Sequence, residues 1–253
     1  MELNLTFFIF ATVATLFAGV SKGGFGSGAA FASTPILAVV VSPEIAIGLM
    51  LPLLIIMDIS SLKFYWKKWS WLDAKLLIIG GLPGIFIGFL LFSIINSQIL
   101  RLLIGFIALG FVLFSIFRSK FDSSGVTQNL NISRTIFLGF LSGFTSFISH
   151  AGGPTTAVHL LNRGLSKLEY QATTVVVFWW LNIVKVLPYA FLGMFSAEVL
   201  RVNVFLFPIA IAGTWLGVLA NRIISEQVFF LITYILLTLT GIKLIFDGLS
   251  SYF

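Results

Sequence analysis

The chain has 253 residues, 58% of them hydrophobic and only 9% charged, whereas a soluble domain carries roughly 25% charged side chains. Too few are present to cover a water-facing surface, so soluble globular, disordered and nucleic-acid-binding proteins are excluded. The net charge of +6 reads as the lysine and arginine bias of membrane-protein loops. With no cysteine and only two histidines, no disulfide, thiolate nucleophile, metal site or cofactor is expected.

Ten apolar segments succeed one another along the chain: 3–20, 29–41, 44–62, 73–92, 98–117, 134–148, 154–162, 168–192, 202–221 and 227–246. The first lacks the basic start of a secretory signal and runs into glycines, so it is expected to be retained helix. About 20 residues of helix cross the hydrocarbon, and six of the segments reach that length. The other four are shorter and form two adjacent pairs, each split by a glycine-rich break. The breaks are Ser21-Lys22-Gly23-Gly24-Phe25-Gly26-Ser27-Gly28 and Ser149-His150-Ala151-Gly152-Gly153. The runs are too long and too uniformly apolar for barrel strands, so the protein is all-α. One polar stretch, 119–133, reads as a linker between two halves.

The halves share weak internal similarity. Gly19 matches Gly143, Ser42 matches Ser166, and Asp58 matches Asn182. After a small shift, Gly23-Gly24 matches Gly152-Gly153, Gly84 matches Gly213, Gly88 matches Gly217, and Gln98 matches Gln227. Lys63, Lys67, Lys68 and Lys75 form the most basic loop and are assigned to the cytoplasm. Alternation then puts Arg118, Lys120, Arg134, Arg163, Lys167 and Arg222 on that side and both termini outside. This requires an odd number of crossings per half, which inverts the second half. The expected architecture is an all-α polytopic membrane protein of two inverted repeats. Each repeat holds a broken-helix, re-entrant pair plus three long transmembrane helices. The first covers 1–118, a cytoplasmic linker 119–133, and the second 134–253.

Non-helical backbone is tolerated within a membrane only where it lines a cavity or is buried in protein. Two equivalent breaks therefore predict one central cavity. The segments after them start near Ser27 and at Pro154, and proline suits a first helical position. Each start aims free N–H groups and a partial positive charge at the break, an arrangement that binds anions. Lys22 adds a full charge beside Gly23 and Gly24. His150 lies beside Gly152 and Gly153, with Ser21, Ser27, Ser149, Thr155 and Thr156 as hydroxyl donors. Asp58 is costly in an apolar helix without a partner or a task; Lys22 and Lys185 are its candidate partners, and proton coupling is its candidate task. Asn182, Lys185 three residues on, and Trp179 with Trp180 are candidate cavity walls. His159 reads as structural, and Trp66, Trp69 and Trp71 as an interfacial belt. The expected partners are a small anion and the lipid bilayer, with a homodimer left open. No catalytic residue is expected: Ser149, His150 and Asp58 do not make a triad, for no nucleophile elbow precedes them.

Gly19-Val20-Ser21-Lys22-Gly23-Gly24-Phe25-Gly26 followed by Pro35, with Gly139, Gly143 and Ser149-His150-Ala151-Gly152-Gly153-Pro154 in the second half, resembles the paired glycine motifs of the TauE/SafE family of sulfite exporters. The resemblance covers nearly the whole chain. It differs in Phe25 interrupting the first glycine run, and in His150 standing before only two glycines in the second. It implies a bacterial inner-membrane carrier exporting sulfite or small organosulfonates. The inside-negative potential favours anion exit by about 2.3 kcal/mol per charge per 100 mV. An anion channel, or a carrier of another small anion, is the alternative expectation, and an intramembrane enzyme the remotest.

Overall fold

The computed structural model describes residues 3–26, 29–121, 129–220 and 223–250. Ten α-helices make up the described chain: α1 (Leu5–Val20), α2 (Ser33–Ala38), α3 (Pro43–Tyr65), α4 (Trp71–Phe92), α5 (Ser97–Phe121), α6 (Ile132–Ser149), α7 (Gly153–Asn162), α8 (Lys167–Phe191), α9 (Ala197–Ala220) and α10 (Glu226–Ser250). Eight helical stretches are long and apolar enough to cross a membrane. This corrects the sequence expectation of six, because two of the four short segments are longer than their composition suggested. The first runs on through Phe25 to 21 residues, and α6 reaches 18. Only α2 and α7 remain short, at 6 and 10 residues.

The starts of these helices obey local chemistry. The Asn4 side chain caps α1 by accepting from the Phe7 N–H at 2.9 Å. Pro43 and Pro154 occupy the first turns of α3 and α7, where their missing N–H costs nothing. Ser42 and Ser166, matched in the sequence, precede α3 and α8 as cap residues. Only Ser166 closes a full capping box, with Glu169.

Large apolar side chains face outward as well as inward. Phe205, Phe246 and Phe191 are more than two-thirds exposed, a surface that only lipid can cover. Between helices, packing relies on glycine. A Cβ at Gly80 of α4 would sit 2.0 Å from the Ile136 carbonyl oxygen of α6, and one at Gly143 of α6 2.1 Å from that of Gly81. A Cβ at Gly217 of α9 would meet the Val20 oxygen of α1 at 2.3 Å. Such backbone contact is how helices associate without a hydrophobic driving force. Of the glycines matched in the sequence, Gly84, Gly88 and Gly143 lie on the seam of α4 with α6, and Gly19, Gly213 and Gly217 on that of α1 with α9.

Helices at matched positions also meet one another, antiparallel. Gly48 of α3 abuts Met194 beyond α8, Asn182 donates to Asp58 at 2.7 Å, and the Ser70 N–H donates to Thr173 at 2.9 Å. Along α5 and α10, Gly105 approaches Gly241 and Ile245, while Gly248 approaches Leu102. At one end of the bundle Asp73 accepts from Ser70, binds His159 Nε2 at 2.6 Å and pairs with Arg163 at 3.0 Å, near Lys63–Lys75 and the start of α6. At the other end Glu44 accepts from Ser97, and Arg101 meets Asp247 at 3.5 Å.

Candidate functional site

The first glycine run is wound as far as Phe25, so the break expected over 21–28 opens only at Gly26. Ser21–Phe25 continues α1 as a π-helical turn, a wider winding often found at functional positions. The chain leaves it at Gly26, whose φ of 79° suits glycine. Ser27 and Gly28 lie outside the described residues. The Ser21 hydroxyl fastens the exit by donating to the Gly26 carbonyl at 2.9 Å. Gly23 lies so close to α9 that a Cβ would come within 1.9 Å of the Thr214 oxygen. Its own carbonyl accepts from Tyr65 at 2.7 Å, and that of Lys22 accepts from Gln171 at 2.8 Å. A single 3-10 turn, Ala30–Ala32, then leads into the six-residue α2. The short helix expected over 29–41 is therefore a single 3-10 turn followed by α2.

The second run does break. α6 stops at His150, which takes the left-handed conformation with φ 57° and ψ 16°. A non-glycine residue there costs about 1–2 kcal/mol. Two bonds hold the turn: His150 N–H to the Ser146 carbonyl at 3.0 Å, and Ala151 N–H to that of Thr145 at 3.2 Å. Gly152 then packs against Ser142, whose hydroxyl donates to its carbonyl at 3.0 Å. α7 thus begins two turns short of the end of α6, about 10 Å back along its axis. It runs back to Arg163 at the Asp73 end.

Between the breaks lies a chain of buried polar groups. Lys22 forms an ion pair with Asp58, both essentially inaccessible, and also reaches the Leu54 carbonyl at 3.5 Å. The second Asp58 oxygen accepts from Asn182. One turn along α8, Lys185 donates to the Ser146 carbonyl at 3.1 Å and contacts the Ser146 hydroxyl at 2.9 Å and His150 Nδ1 at 2.8 Å. His150 Nε2 faces the Ile47 carbonyl at 3.1 Å. A carbonyl only accepts, so in the neutral ring Nε2 carries the proton and Nδ1 accepts from Lys185. Lys22, Ala30, Phe31, Leu54, Ser146, His150, Phe178 and Asn182 enclose a small cavity, little more than water-sized. Its cationic and donor groups belong to both halves of the chain.

The family model described as "Sulfite exporter TauE/SafE" matches residues 11–244, nearly the whole chain. The chain belongs to the TauE/SafE family. Comparison with curated proteins and with solved structures finds no match to either. The TauE/SafE family is one of membrane transporters, so the eight long apolar helices are those of a multi-spanning transport protein.

The motif glycines of this TauE/SafE chain hold backbone against backbone. Gly23 lies on Thr214, and Gly152 packs on Ser142 and Phe178. Gly24 stays within the π turn. Of the residues singled out from the sequence, Lys22, His150 and Asn182 line the cavity, and Asp58 and Lys185 back it. Gly153 and Thr155 start α7 away from its lining, the Thr155 hydroxyl bonded to the Gly152 carbonyl at 3.0 Å. Ser149 bonds its own helix at Thr145, 3.4 Å away. Trp179 stacks edge-on with Trp180, its buried Nε1 without a partner. His159 joins Asp73 and Thr135 far from the cavity. Ser146, Gln171, Phe31 and Phe178 escaped the sequence reading. For Ser146 a signal existed: Ser142, Ser146 and Ser149 recur at helical spacing along one face of α6.

The two opposed helix N-termini expected at the cavity reduce to one short start. Ala30 and Phe31 border it, whereas the start of α7 does not. Positive charge at this centre comes from side chains.

Proposed function

We propose that the protein is a secondary carrier that exports a small sulfur oxyanion, sulfite or an organosulfonate, by alternating access. One observation carries the reading: in a chain of the TauE/SafE family, Lys22, Asn182, Ser146 and His150 enclose a buried polar cavity between two interrupted helices. Interrupted helices meeting at a central site are a carrier arrangement. The cavity is smaller than a sulfur oxyanion, so its walls must part before cargo enters, which favours a carrier over an open pore.

In this reading the halves, 1–118 and 134–253 joined by a linker at 119–133, are inverted repeats with re-entrant α2 and α7. Antiparallel meeting of α3 with α8 and of α5 with α10 supports the inversion, as does the bond between the matched residues Asp58 and Asn182. The linker lies in the cytoplasm of a bacterium and both termini outside its inner membrane, supported by Lys63, Lys67, Lys68, Arg134 and Arg163 gathering at the Asp73 end. The bilayer and the anion are the partners, and a homodimer is compatible with the outer surface. Ser21, Gly23, Gly24, Gly152, Gly153 and Thr155 shape the site, with Ser27 at the exit of the first turn. Lys22 and His150 face the cargo, and Asp58, Asn182, Lys185 and Trp179 form its surround.

Purified protein in liposomes preloaded with sulfite should show saturable counterflow of labelled sulfite or sulfonate. Flux that never saturates would overturn the carrier. For orientation, the cysteine-free chain allows Lys68→Cys and Ser196→Cys to be labelled singly. The first should react only from the cytoplasm and the second only from outside.

A further inference from the structure

The buried centre carries unequal charge. Asp58 is the one carboxylate among its described groups, and both its oxygens are engaged, one by Lys22 and the other by Asn182. Lys185, fully inaccessible, has only uncharged partners: the Ser146 carbonyl and hydroxyl, and the His150 ring, whose Nδ1 is bare because Nε2–H faces Ile47. Three acceptors around Nζ complement the three protons of an ammonium. With Lys185 in its ammonium form, the sum over Lys22, Asp58, Lys185 and His150 is one positive charge. A buried unpaired charge is strongly unfavourable, and an anion carrying a single negative charge removes the imbalance.

We propose that this excess charge sets the valence of the cargo: the site takes a monovalent sulfur oxyanion, a sulfonate or hydrogensulfite, and discriminates against a dianion. Lys185 supplies the excess without touching the cavity, acting through Ser146 and His150, which line it. Asp58 cancels Lys22 and so keeps the total at one. A dianion would leave the centre net negative in a medium that does not screen it. The inference rests on the anion-carrier reading above and adds the charge of the cargo to it.

The test uses the full-length protein in detergent, with methanesulfonate as the monovalent probe and sulfate as the divalent one at matched ionic strength. Thermal stabilisation gives the affinity for each. Wild type should prefer methanesulfonate. Lys185→Gln, which keeps an amide donor and lowers the sum to zero, should bind it roughly tenfold or more weakly, as expected for one charge removed at close range in a low-dielectric site. Asp58→Asn raises the sum to two and should shift the preference to sulfate. The double variant returns the sum to one and should regain the preference for methanesulfonate. A merely structural role for Lys185 predicts loss of stability with the valence preference unmoved. If Lys185→Gln does not yield monodisperse protein, Asp58→Asn tests the same sum from the other side. An Asp58→Asn variant that keeps the wild-type preference, or a double variant that does not regain it, overturns the inference. No stabilisation of wild type by any anion, sulfite included, overturns the carrier reading instead.

Discussion

The two glycine runs look alike in sequence and solve different problems. At the first, the chain stays wound through Phe25, seats Gly23 against α9 and cancels the charge of Lys22 with Asp58. At the second, it stops at a left-handed histidine whose ring meets a lysine with no carboxylate partner. The first is packed and ion-paired, the second strained, with its lysine held by uncharged groups. Similar glycine runs can thus adopt different backbones and different electrostatic surroundings.

The sharpest way to break that contrast is to remove the neutralised charge. Lys22→Met leaves Asp58 buried with Asn182 alone and should cost about 3–5 kcal/mol, read as a large fall in melting temperature. Adding Asp58→Leu should recover most of that stability, since an apolar pair of similar volume is often no worse, while anion-induced stabilisation stays lost. Next is packing at the first run. Gly23→Ala drives a methyl into the Thr214 carbonyl and should cost about 3 kcal/mol or more. Gly152→Ala meets the Ser142 carbonyl oxygen at 2.6 Å, a less severe approach than the 1.9 Å at Gly23, and should cost less in the same melting assay. Backbone strain at the second run is smaller. His150→Gly and His150→Ala both lose the Lys185 contact, yet the glycine variant should be the more stable by about 1–2 kcal/mol because only alanine keeps the left-handed penalty. Equal melting temperatures would show that the turn is not strained. The smallest effect is expected at Thr155→Ala, about 1 kcal/mol or less, with anion affinity unchanged because Thr155 does not border the cavity.

Much of this was legible in the residues. Continuous apolar runs announced helices in lipid, and Asp58 within one of them announced a buried partner. The residue types also limited that partner to Lys22 or Lys185; choosing between them needed the approach of the π turn to α3. The winding of Ser21–Phe25 was hidden because glycine signals a break from local propensity alone, whereas here a neighbouring backbone decides its conformation. Gly23 reads as a ligand-binding glycine until α9 is beside it. Ser146 was overlooked because a serine in a membrane helix usually bonds its own preceding turn, and its engagement by Lys185 joins two distant segments. Paired helix starts were expected from the glycine spacing, but only the short start at Ala30 and Phe31 borders the cavity, and that of α7 packs against Ser142 instead.

The glycine seams carry a mechanical consequence. α1 is locked to α9 and α4 to α6 by direct backbone contact, and each couple joins helices from opposite sides of the linker. Any rearrangement that opens a path to the interior must leave both couples intact. In the carrier reading proposed above, the moving blocks would therefore be hybrids of segments from both ends of the polypeptide, and not its N- and C-terminal portions.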